Sequence, residues 1–291
     1  MSQELTKQVH EDAGEIHDHD RGLSFDLSTL MSRRRALQLL AVGGLTTLVG
    51  CGASSGNSPG TTASTAAATT TGSTGGTTTA SGTTSEIPEE TSGPYTADGS
   101  NGVNVLGQSG IVRRDITTSF GSASRTAEGV PLAIELTILD VSAGGTPLEG
   151  AAVYLWHCDR DGNYSLYSSG LTGENYLRGV QASDANGKVS FASIFPAAYS
   201  GRWPHIHFEV YPSLAEATAA GTKMVTSQIA LPEDACKLVY ATSGYEQSVN
   251  NLAQSSLETD NVFSDGFSTQ LVTATGSPSQ QGMAITLNVG V

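Results

Sequence analysis

Basic residues are scarce in this 291-residue chain: 14 Lys and Arg stand against 28 Asp and Glu. A body this acidic repels phosphate backbones, which argues against nucleic-acid binding. Charged residues of both signs reach only 14%, and the chain carries 34 glycines. Few surface Lys and Glu with many turn formers favour strands over long solvent-facing helices. Long apolar runs are missing as well. The longest, Ala36 to Leu48, holds about thirteen mostly apolar residues and is too short to span a bilayer stably. Histidine is rare too, and from residue 51 onward only His157, His205 and His207 occur.

What is present begins with Ser32-Arg33-Arg34-Arg35 ahead of that short apolar run, the charged-then-apolar layout of an export signal. Paired arginines in this place resemble the twin-arginine signal of bacteria, which exports proteins already folded. The run ends in Leu48-Val49-Gly50-Cys51, which resembles a lipobox, so Cys51 is expected to be lipidated and to begin the mature chain. A buried helix ending in an ordinary thiol is the alternative. Residues 1–50 then form a presequence whose His10, His17 and His19 read as a metal-binding tract or, more simply, as part of a solvated extension. A chain starting at Cys51 keeps 9 basic and 21 acidic residues, a formal charge of −12. From Gly52 to Ser85 the sequence is nearly all Thr, Ser, Gly and Ala, which cannot bury enough apolar area to offset ordering entropy. Residues 51–85 therefore read as a lipidated tether, reaching roughly 30 Å as a flexible coil.

The pattern changes near Glu86, and residues 86–291 read as one domain of short strands. Strands are expected at Val130–Val141, Ala151–Cys158, Lys188–Ile194, His205–Tyr211, Thr222–Leu231 and Met283–Val289, separated by turn signals such as Asp161-Gly162 and Asn186-Gly187. Many short strands without a long helical period imply an all-β fold, a β-sandwich. Within the fourth strand His205 and His207 are two residues apart and share one face, so they can chelate a metal without backbone distortion. Taken alone, His-x-His is more often an exposed or core pair than a ligand pair.

The surrounding residues are more specific. Tyr199-Ser200-Gly201-Arg202-Trp203-Pro204-His205-Ile206-His207-Phe208 resembles the intradiol ring-cleavage dioxygenases, which carry a tyrosine before Arg-x-x-His-x-His-Phe. Trp156-His157-Cys158-Asp159-Arg160-Asp161-Gly162-Asn163-Tyr164 resembles that family's second tyrosine loop, and Glu90-Thr91-Ser92-Gly93-Pro94-Tyr95 its entry segment. The likeness is firm from Glu86 to Tyr211 and thin beyond Pro212.

The resemblance implies a prealbumin-like β-sandwich whose long loops form a metal site, with Fe(3+) held by Tyr164, Tyr199, His205 and His207. It implies that Arg202 lies beside the substrate, that Gln228 shares the pocket, and that Tyr199 takes a substrate proton. The expected substrates are a catechol-type aromatic and O2, and the expected product a muconate-type dicarboxylic acid. The donor types suit that metal on their own chemistry, because phenolates are hard anionic ligands that favour Fe(III). Tyr167, three residues past Tyr164, is the rival ligand, and His157 is expected to make structural hydrogen bonds. Cys158 and Cys236 either pair or remain buried thiols. The helical segment that precedes the sandwich in catechol 1,2-dioxygenases is absent, with the tether in its place. Turn segments such as Asp184-Ala185-Asn186-Gly187 also resemble non-catalytic prealbumin-like binding modules, which leaves a surface binding module as the competing reading. A cupin-type barrel fits less well, because Glu209 follows His207 too closely.

Overall fold

The computed structural model describes residues 84–291. The presequence at 1–50, the lipidation expected at Cys51 and the tether up to residue 83 lie outside the described residues. Among the described residues no helix is long and apolar enough to cross a membrane.

Among the described residues nine strands form two sheets. They are β1 (Pro131–Asp140), β2 (Thr146–Pro147), β3 (Ala152–Trp156), β4 (Arg178–Ala182), β5 (Lys188–Ile194), β6 (His205–Tyr211), β7 (Val225–Ala230), β8 (Thr273–Ser277) and β9 (Gly282–Gly290). In the first sheet β1 is central, with β5 and β2 antiparallel to it and β9 parallel, and β8 pairs with β9. The second sheet runs β4-β3-β6-β7, antiparallel throughout. Short helices of the described residues, α1 (Leu214–Thr218), α2 (Glu233–Tyr240) and α3 (Glu246–Leu252), lie in the connections after β6 and β7.

The core follows from strand periodicity. In β1 the buried residues alternate, and Leu132, Ile134, Leu136 and Ile138 point inward. They meet Val153 and Leu155 of β3, Ile206, Phe208 and Val210 of β6 and Ile229 of β7 in one cluster. The second sheet differs, because every residue of β3, β6 and β7 is buried. Its outer face carries Ala152, Tyr154, Trp156 and Tyr211, covered by Ala97, Val105, Leu106 and Ile111 of the stretch that follows the entry segment and by Tyr164 of the β3–β4 loop. That covered outer face is where a polar side chain on β6 becomes enclosed.

The expected all-β sandwich is present. The strand expected at Thr222–Leu231 is shorter, Val225–Ala230, because Met224 already turns away at the surface. β4 and β8 were not legible: Arg178-Gly179 and Gly276 break any alternation that a sequence reading could count. Cys158 and Cys236 are both buried and free, so no disulfide joins them.

Candidate active site

Strand register assembles the site. Trp156 pairs with His207, His207 with Gln228, and Trp156 with Arg178. A row Arg178–Trp156–His207–Gln228 therefore crosses all four strands on the outer face. The indole of Trp156 stacks on the His207 ring, with centroids 5.0 Å apart and planes at 6°. His205 lies on the same face of β6 as His207, and their Nε2 atoms are 3.1 Å apart.

Two loops deliver the tyrosines. In the β3–β4 loop Asp159 is the organiser: its Oδ1 accepts from the Asp161 and Asn163 backbones at 3.0 and 2.9 Å, and its Oδ2 from the Tyr176 hydroxyl at 3.0 Å. This Asx-type turn bends the chain at Gly162 (φ +85°), where a Cβ would lie 3.2 Å from the Tyr199 Cβ. The loop next passes to Tyr164, whose backbone N–H donates to Ser168 Oγ at 2.9 Å. Arg178 secures the following residue, donating to Ser165 Oγ at 3.1 Å and to its carbonyl at 3.0 Å. The Tyr199 loop is held at Ala198, whose N–H donates to Ser248 Oγ and whose carbonyl accepts from Asn251.

The functional groups converge on one atom. His205 Nδ1 donates to the Trp203 carbonyl at 2.6 Å, leaving Nε2 with a lone pair. Around that Nε2 stand the Tyr199 hydroxyl at 3.0 Å, His207 Nε2 at 3.1 Å and Arg202 Nη1 at 3.4 Å. The Tyr164 ring meets both Tyr199 and His207 edge-on, with centroids 6.1 and 6.2 Å away. Its hydroxyl is buried and makes no hydrogen bond of ordinary geometry. Tyr167 does not join this group. Its hydroxyl accepts from the Ala97 backbone and donates to Asn101, both at 2.9 Å.

Arg202 is 3% exposed, so it is no surface charge. Its Nη2 donates to Gln228 Oε1 at 2.8 Å, and Gln228 Nε2 donates to the Thr91 carbonyl at 2.8 Å. The entry segment thereby closes over the site: Gly93 (φ +69°) lies where a Cβ would sit 3.3 Å from the His207 ring, and Tyr95 stacks on Tyr164 at 4.7 Å. His157 is structural, bonded through Nε2 to Ser193 Oγ at 2.7 Å, and burial lowers its pKa to about 4.

Burial also sets the charge state of the cluster. It drives His205 and His207 well below the ordinary imidazole range, reinforced by Arg202 at His205 and by His205 at His207. Burial pushes the Tyr164 phenol well up, and the neighbouring Tyr199 phenol adds to that. Burial thus favours the neutral forms of His205, His207 and Tyr164, and His205 Nε2 is left as an acceptor.

That donor set fits a metal ion. Two nitrogens bound at right angles to one metal at about 2.1 Å stand roughly 3 Å apart, and the observed Nε2–Nε2 separation is 3.1 Å. The Nδ1–H of His205 on a backbone carbonyl is the outer contact that orients a ligating imidazole. A cation would also reverse the balance that keeps Tyr164 protonated. Among the described residues no three or more His, Cys, Asp and Glu are grouped to hold a metal; the phenols of Tyr164 and Tyr199 stand beside the histidine pair.

Sequence reasoning missed Asp159, Arg178 and Asp260, which support the site from loops and from β4. Only Asp159, within the tyrosine loop, carried a turn signal that pointed to it.

A family model described as Dioxygenase matches residues 113–259. The chain is 42% identical over 55 residues to chlorocatechol 1,2-dioxygenase of Rhodococcus opacus, covering 19% of this chain and 21% of that protein. It is 33% identical over 108 residues to catechol 1,2-dioxygenase 2 of Acinetobacter lwoffii, covering 31% and 36%. Both matches span well under two thirds of those relatives. The solved intradiol ring-cleavage dioxygenase from Tetranychus urticae superposes with a TM-score of 0.57 at 24% identity, over 71% of this chain and 94% of that one, a likeness in fold. With the family model spanning half of its length, the chain belongs to the intradiol ring-cleavage dioxygenases.

Proposed function

We propose that the chain opens a catechol-type ring with O2 between its two hydroxylated carbons, giving a muconate-type dicarboxylic acid. The observation that carries this reading is the convergence of Tyr199, His207 and Arg202 on His205 Nε2, beside the buried Tyr164 hydroxyl that no protein group engages in an ordinary hydrogen bond.

Tyr164, Tyr199, His205 and His207 would hold Fe(III). Bound there, ferric iron would supply Lewis acidity toward a catechol dianion and reactivity of its ring toward O2. The rest is work for the protein. Tyr199 is the more exposed of the two phenols, against 2% for Tyr164, and as a phenolate it would be the one placed to accept a substrate proton. Tyr164, enclosed under Tyr95, is the phenol that stays. Arg202 is a permanent cation in a dry setting, where it stabilises negative charge developing on the ring. Gln228 fixes Arg202 on one side and the entry segment on the other. Gly93 and Trp156 enclose His207 between them and exclude water from that ligand.

A non-catalytic binding module of the same fold has no use for this cluster. The test is O2 consumption and product analysis with catechol on the iron-loaded chain. Tyr164→Phe should lower kcat by at least a hundredfold, and Tyr167→Phe should stay within about threefold, on the usual scale for losing a metal ligand against a remote hydroxyl. Equal losses, or none for Tyr164→Phe, would overturn the assignment.

We also propose that the enzyme works outside the cytoplasmic membrane, exported through the presequence at 1–50 and anchored by lipid on Cys51. The order of arginines, apolar run, small residue and cysteine supports this. Cys51→Ala should release the protein from the membrane fraction; an unchanged distribution would contradict the anchor.

A further inference from the structure

A buried guanidinium is useful to a reaction only if its plane is fixed, since otherwise its long side chain samples several rotamers. Asp260, in the turn beyond α3, supplies that fixing. Its side chain is 0% exposed, and Arg202 Nε donates to Oδ2 at 3.0 Å while Nη2 donates to Oδ1 at 3.3 Å. The same carboxylate accepts from the Val262 and Phe263 backbones at 2.9 and 3.3 Å, which locks it into its own turn. It also accepts from the Trp203 N–H at 2.7 Å, and the carbonyl of Trp203 is the group that holds His205 Nδ1. Five donors on one carboxylate leave it no freedom.

We propose that Asp260 is the positioning residue of this site: it sets the Arg202 guanidinium so that Nη1 faces the metal cluster, and it fixes the backbone that orients His205. The proposal rests on the reading above for the use made of Arg202, and on geometry alone for the hold itself. Asp260 lies one residue beyond the segment that the family model matches, in the part of the chain where the motif resemblance is thin. It also supplies a formal countercharge, within hydrogen-bond distance, to a cation 3.4 Å from His205 Nε2. Gln228 cannot replace it, because a neutral amide orients one edge of the fork and leaves the charge uncompensated.

The experiment compares Asp260→Asn, Arg202→Lys, the double variant Arg202→Lys/Asp260→Asn and the charge-free pair Arg202→Met/Asp260→Asn with the parent. The first readout is exchange of the Arg202 Nε–H in nitrogen-15-edited NMR, assigned by its loss in Arg202→Lys. It should be protected in the parent and exchange at least tenfold faster in Asp260→Asn. The second is binding of 4-nitrocatechol to the ferric protein, which Asp260→Asn should weaken at least tenfold. Adding Arg202→Lys to Asp260→Asn should then cost little more, since both act through one group. If Asp260→Asn fails to fold, Arg202→Met/Asp260→Asn should still fold, because the buried cation is removed together with the carboxylate that balances it. Unchanged Nε–H protection, independent additive losses, or a charge-free pair no more stable than Asp260→Asn would overturn the proposal. A parent that protects Nε–H yet binds no catechol would instead sink the proposed function.

Discussion

At the scale of single residues, burial favours the neutral forms of His205, His207 and Tyr164, while the buried Arg202 keeps its charge against Asp260. Glu90 shows the effect of burial on a carboxyl group. Burial, then the nearby Asp265, raise its pKa from the ordinary 4.5 to about 7, against lowering by Gln270 and Arg202 and a further rise from Asp260. The sign of the consequence is fixed. Below pH 4.5 the carboxyl is protonated folded or unfolded, and nothing is lost; between 4.5 and 7 it ionises only when unfolded, and folding is progressively opposed. Above pH 7 the full penalty stands, on the order of 2 kcal/mol once residual screening is discounted. Glu90→Gln should therefore melt higher than the parent at pH 8 and level with it at pH 4. A difference that does not change with pH would contradict this. Residues of this kind are hard to read in a sequence. His205, His207 and Tyr199 announce themselves by spacing, whereas Asp260 and Glu90 gain their meaning from neighbours 58 and 180 positions away, Arg202 and Gln270.

At the scale of elements, β6 shows why a strand suits this site. Its alternation sends Ile206, Phe208 and Val210 into the sandwich and His205, His207 and Glu209 to the opposite face. Both faces are buried, but with different contents: hydrocarbon within, and a hydrogen-bonded polar layer without, where Glu209 accepts from Tyr211 and Lys223. Phe208→Ala should cost about 3–5 kcal/mol in urea unfolding, the usual range for emptying a core position of that size. Because Phe208 faces away from the ligands, the folded variant should still bind iron. Loss of the metal at full folding would show that the two faces are not separable. The alternation in β1, β5 and β6 was legible because each has at least one clean apolar face. β4 was not, since Arg178 and Gly179 occupy it where apolar residues were sought, and its register comes from the partner strand β3. The tyrosine loop was legible only through its family likeness; Tyr164 and Tyr167 cannot be told apart by spacing, and the hydrogen bonds of Tyr167 to Ala97 and Asn101 separate them.

At the scale of the whole molecule, the sandwich is a scaffold that carries two loops and an entry segment to one covered sheet face. The fold class was in the sequence because turn residues and short strands recur throughout residues 130–231. The closure of the face was not, because it depends on the entry segment returning across the second sheet, a long-range contact that no local pattern encodes. We propose that these parts make a ferric site with two phenolates that takes a catechol. It is tested most directly by the visible spectrum of the iron-loaded chain before and after catechol is added. The account predicts a burgundy phenolate-to-iron charge-transfer band that is weakened by Tyr164→Phe, retained by Tyr167→Phe, and shifted to longer wavelength by catechol. A colourless protein that takes up zinc stoichiometrically in preference to iron, or a band indifferent to catechol, would contradict it.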